Sequence, residues 1–151
     1  MGQFSVDINA FCKKAKGRVD EVVRTVVIDI GNSVINRSPV GNVSLWKHPY
    51  APAGYVGGNF KANWQYGNIA GSGIPMTQLP DIDETGEVSK ARIKNSIMAA
   101  EVSTVHYIVN NLPYAMALEH GHSTQSPPNA MVGLTVLEFQ QYINSAVAGL
   151  K

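Results

Sequence analysis

Charge is scarce in this chain. Of its 151 residues 15% are charged, against about 25% in typical globular proteins, and the shortage is uneven. Residues 1–50 carry seven Lys/Arg and four Asp/Glu, residues 51–100 four of each, and residues 101–151 one and three. The final third has little charge to present to water, which hints at assembly, because the cores of protein interfaces are depleted of charge. The net charge of +1 leaves no broad electrostatic footprint for nucleic acid.

Cysteine is nearly absent. Cys12 is the only one, so no disulfide forms within the chain and no oxidising compartment is implied. Its place on an apolar helical stripe predicts a buried, inert thiol. Nothing reaches the ~20 apolar residues that span a bilayer, and the N-terminus lacks the apolar run of a signal peptide. The expectation is a cytoplasmic chain with no membrane partner, folded as one domain over 1–151. Catalytic signatures are missing too: there is no Gly-x-Ser-x-Gly elbow, no Walker A loop, no GxGxxG after a strand and no HExxH helix.

Apolar residues from Phe4 through Phe11, Val19, Val26 and Ile30 to Val34 recur at three- and four-residue steps. They predict one long amphipathic helix that Arg37-Ser38-Pro39 stops. Residues 39–58 form a long loop rich in Gly and Pro, with Trp46, His48, Tyr50 and Tyr55 in it. Exposed aromatics there predict a loop that packs on a partner or on its own body. Phe60, Ala62, Trp64 and Tyr66 alternate with polar residues and predict a strand. A flexible stretch follows to Asp81. Residues 85–98 read as a short helix, and the alternation from Val102 to Val109 as a second strand.

Leu112 to His120 predicts a short helix, with Gly121 suited to ending it. After Ser126-Pro127-Pro128, Asn129 is placed to cap a helix from Ala130 to about Ala148, whose apolar stripe is Val132, Val136, Phe139, Ile143 and Val147. The order of elements predicts an α+β fold, a small mainly antiparallel sheet packed against a long N-terminal helix and a C-terminal helix, with long irregular loops.

Few constellations carry chemistry. Glu119, His120 and His122 offer imidazole and carboxylate ligands to a metal such as zinc, with His48 and His106 available from elsewhere. Yet Gly121 sits between the two neighbouring histidines, where a helical site needs them one turn apart. Ser123 directly follows His122, and adjacent residues seldom hold nucleophile and base in geometry. Asp81, Asp83 and Glu84 read as a solvated acidic turn before they read as a cation site. Lys13, Lys14, Lys16 and Arg18 offer phosphate contacts if they share a face; otherwise they are a solvated helix surface.

Three patterns, in order, resemble the neck and tail-completion proteins of long-tailed bacteriophages. Arg37-Ser38-Pro39-Val40 is similar to that family's Arg-Ser-Pro-Val turn. Gly58-Asn59-Phe60-Lys61-Ala62-Asn63-Trp64 resembles its Gly-Arg-Phe-Arg-Ala-Asn-Trp segment. Ile108 to Ala115, followed by Leu118-Glu119-His120-Gly121-His122-Ser123, Gln125, Pro127 or Pro128 and Met131-Val132, resembles its strongest signature. Here the first two motifs are separated by an insertion at Gly41 to Gly57.

The resemblance implies a non-enzymatic structural protein of the virion, a homo-oligomeric, hexameric ring that joins the DNA-filled head to the tail. It implies no cofactor, no metal and no catalytic residue. Its partners would be further copies of itself, a head-closure or connector protein, and a tail terminator or tail tube protein, with channel DNA close by. The protein would stand in the host cytoplasm until it joins the virion neck. Under this reading Tyr114 and Leu118 anchor the short helix, Glu119, His120 and His122 offer polar contacts, and Trp46, Tyr50 and Tyr55 extend the contact surface. A tail terminator is the alternative in the same class. A small metal-dependent hydrolase built on Glu119, His120 and His122, or a DNA-binding module built on the first helix, are alternatives of other classes.

Overall fold

The computed structural model describes residues 3–46, 53–71, 73–123 and 125–150. A helix α1, Gln3–Arg37, is followed by a short 3-10 turn, Val43–Leu45, and a single helical turn α2, Asn59–Ala62. Strand β1, Trp64–Asn68, helix α3, Glu87–Ala99, and strand β2, His106–Asn110, come next. Three helices close the chain: α4, Ala115–Glu119, α5, Val132–Leu137, and α6, Phe139–Ala148. The fold is α+β, as the order of elements predicts.

The two strands pair antiparallel, with Trp64 opposite Asn110 and Asn68 opposite His106. The second half of α1 and all of α3 pack over them, around Ile35, Phe60, Trp64, Ile93, Ile97 and Met131. Polar groups lock these layers at their ends. The Arg24 guanidinium on α1 donates to the carbonyls of Ile97 and Ala100 (2.9 Å to the latter), satisfying acceptors that the last turn of α3 leaves open. Arg92 on α3 donates to the carbonyls of Ala62 and Trp64.

Several sequence expectations shift. The strand expected across 59–66 begins only at Trp64, and its first half is α2. Gly58 takes φ +104° and opens a helical turn, which the Asn63 side-chain amide closes by donating to Asn59 O at 2.8 Å. Asparagine bonded back to its own backbone competes with a sheet ladder. The second strand starts at His106 rather than Val102, although the Ile69 amide still donates to Val105 O at 3.2 Å.

Residues 73–81 are irregular but tied down. Asn63, fully buried, accepts from the Leu79 amide at 2.8 Å and donates to Leu79 O at 3.0 Å. Gln65 donates to Thr77 O at 2.7 Å and Asn111 to Pro75 O. Side-chain amides thus hold this segment where a third strand's backbone would otherwise do so.

Cys12 corrects the expectation of a buried thiol: it is exposed. Every described side chain from Ile8 to Val19 is exposed. The C-terminal helix is also not continuous. It breaks at Glu138 into α5 and α6, and Asn129, with φ +55°, does not cap it.

Candidate assembly surface

The described residues of the insertion fold onto the body of the protein. Asn42 accepts from the Ser44 amide at 3.0 Å and starts the 3-10 turn, which delivers Trp46 beside Tyr55, ring centroids 4.9 Å apart. The Tyr55 hydroxyl lies over Gly41, where any Cβ would collide with it. Across from this pair stand Tyr114 and Leu118, with Phe60 between, and together they line a groove of about 350 Å3. The Phe60 and Tyr114 rings are 5.9 Å apart. Burial pushes the Tyr114 phenol above its ordinary pKa, and the neighbouring Tyr55 adds to the rise.

Four of the sequence's candidate contact residues, Trp46, Tyr55, Tyr114 and Leu118, therefore share one aromatic groove. Tyr50, and His48 beside it, lie outside the described residues. The three motif segments also meet. Trp64 Nε1 donates to Ser38 Oγ at 2.7 Å, and Ser38 in turn donates to Val34 O at 2.6 Å, closing the end of α1. Asn110 donates to Phe60 O at 2.9 Å, joining the second motif to the third.

Glu119 and the histidines part company. Glu119 accepts from the α5 amides of Val132 at 3.1 Å and Gly133 at 2.9 Å, so its carboxylate caps that helix. His120 and His122 are exposed. They belong to the end of α4, where Gly121 takes φ +81°. There the amides of Gly121 and His122 donate to Leu118 O and Ala117 O, a left-handed helix stop. His106 faces Tyr66, its Nδ1 2.8 Å from the phenol oxygen. Among the described residues no three His, Cys, Asp or Glu side chains group as a metal site.

Asp83 likewise caps a helix. Its carboxylate accepts from the Gly86 amide at 2.9 Å and from the Ser89 amide and hydroxyl at 2.7 Å each. Burial alone would raise its pKa, but the hydrogen bonds from Ser89, Gly86 and Thr85 outweigh that and hold it below the usual carboxylate range.

A cluster that sequence reading missed docks α5 and α6 onto α1. Arg37 grips Glu138 with 2.8 Å contacts to both carboxylate oxygens. The Tyr142 hydroxyl lies 2.7 Å from Glu138 and 2.9 Å from Ser33 Oγ, and Ser33 lies 2.8 Å from Thr135 Oγ1. Hydrogen bonds from Arg37 and then Tyr142 hold the Glu138 carboxyl below its ordinary pKa. Met131, Thr135, Glu138, Tyr142 and Ala146 recur at helical spacing, and that spacing was the available signal. Of the apolar stripe expected on this helix, Val132, Val136, Phe139 and Val147 are exposed and Ile143 is half-buried. Thr135, Glu138 and Tyr142 share the inward side with the buried Met131 and Ala146.

No family model, curated protein or solved structure matches this chain. Among the described residues no helix is long and apolar enough to cross a membrane.

Proposed function

We propose that this chain is a structural subunit of a bacteriophage virion, a ring in the neck that joins the DNA-filled head to the tail. The observation that carries the reading is the groove: the aromatic insertion and the short α4 helix, distant in sequence, build one partly open apolar surface from Trp46, Tyr55, Tyr114 and Leu118. Large exposed apolar patches mark association sites. Repeated identical contacts around a closed ring turn modest interfaces into a durable joint.

The resemblance of the motifs supports the same reading, as does the scarcity of charge in the final third. A metal-dependent hydrolase on Glu119, His120 and His122 has less support, since Glu119 is spent on the α5 amides. Mass spectrometry of virions purified free of assembly intermediates tests the proposal. Several copies per particle, located by labelled imaging between head and tail tube, are expected. Virions that contain no copy of the chain end it.

A further inference from the structure

Among the described residues nothing covers the outer face of α5 and α6. Leu134, Val136, Leu137, Phe139 and Val147 are all exposed, Leu137 at 78%. With Val132 they expose on the order of 600 Å2 in total, comparable to the largest apolar area that monomers leave bare. That is most of the roughly 800 Å2 each partner buries in a standard interface. The helices are fixed to α1 by polar groups on the opposite side, so turning this face inward would break the Arg37–Glu138 pair.

A second uncovered surface lies on the first half of α1. Phe11 is 72% exposed and Val19 61%, among the exposed cations Lys13, Lys14 and Lys16. The segment from Ile8 to Val19 contains no acidic residue, and the one charged residue of 132–148, Glu138, is held by Arg37 on the inward side, so the outer face sets no cation against those lysines. At about 1.5 Å per residue it is roughly 18 Å long, against roughly 25 Å for α5 and α6 together, so it fits along them.

We propose that the first half of α1 from one copy of this chain lies on the outer face of α5 and α6 of the next copy. Pairing α1 with α1 would bring like charges together, and pairing α5–α6 with itself would leave Phe11 and Val19 in water. Joining the two unlike faces covers both. Such a heterologous contact repeats around a ring or along a filament. The inference rests on the ring reading only in requiring that copies meet.

Cys12, next to Phe11, makes the contact testable by disulfide trapping. In concentrated Leu137→Cys protein under mild oxidation, a ladder of linked chains is expected on non-reducing gels. Peptide mapping should then find Cys12 bonded to the cysteine introduced at position 137. Val88→Cys, exposed on α3, is expected to give no such ladder. Without oxidant, Phe11→Glu and Leu137→Glu should each weaken association by about tenfold or more, read by light scattering, while circular dichroism keeps the unmodified melting profile.

Links only between like positions, a bond within one chain, an oligomer that both Glu variants leave intact, or a chain that stays monomeric would each overturn the contact. An oligomer held elsewhere removes this contact and leaves the ring reading standing. Virions lacking the chain remove the ring reading alone.

Discussion

Helix α3 and the α5–α6 pair both pack on α1, by opposite means. α3 turns Ile93 and Ile97 inward, at 2% and 1% exposure, and leaves Glu87 and Lys94 outside. α5 and α6 turn Thr135, Glu138 and Tyr142 inward and leave leucine, valine and phenylalanine outside. The first arrangement completes a core. The second holds a helix pair in place with its apolar side chains exposed.

The largest effect should come from breaking the conventional side of that contrast. Ile97→Ala removes a side chain from a filled core and is expected to cost about 2–5 kcal/mol, read as a lower urea midpoint. Asp83→Ala strips the cap from α3 and should cost about 0.5–2 kcal/mol by the same measurement. Glu119→Gln weakens the cap on α5; a loss near 1 kcal/mol is expected, with faster amide exchange at Val132 and Gly133 and none of that change in α3.

The pH dependence follows from the same two caps and clasps. Asp83 and Glu138 both have folded pKa values below their ordinary ones. A carboxyl depressed in this way contributes stability that is complete above its unfolded pKa of about 4 and lost as pH falls through the folded value. Stability should therefore be level in this respect from neutral pH down to about 4 and fall below it. Asp83→Asn and Glu138→Gln should each flatten the acid limb. With Glu138→Gln the loss should appear as faster exchange in α5 and α6, since Arg37 then lacks its carboxylate.

The smallest effect sharpens the contrast most. Leu137→Glu places a charge on the apolar outer face and should change the stability of the lone subunit by no more than about 0.5 kcal/mol. A loss comparable to that of Ile97→Ala would mean that this face is core.

Much of the fold was legible in the residues. The stop at Ser38-Pro39, helix α3, the break at Gly121 and the α+β order follow from local chemistry. Two signals misled for a physical reason. The alternation around Phe60 resembles a strand, but Gly58 and the Asn59–Asn63 bond close a helical turn there. The apolar stripes on α1 around Cys12 and on α5–α6 promise burial, yet their described residues are largely exposed. For the candidate surface, the aromatic loop and Tyr114 were legible as residues, whereas their meeting across Phe60 was not, because a Gly-rich loop carries no periodicity to fix its path. Glu119 looked like a ligand because its acceptor role at α5 depends on a chain reversal through Pro127 and Pro128.

The central claim is that the outer face of α5 and α6 is kept free in the subunit and covered in the particle. Maleimide labelling of a Cys12→Ser, Leu137→Cys protein tests it directly, in the free subunit and in purified virions. The account predicts rapid labelling of the subunit diluted until it is monomeric and strong protection in the virion. Equal labelling in both would contradict it.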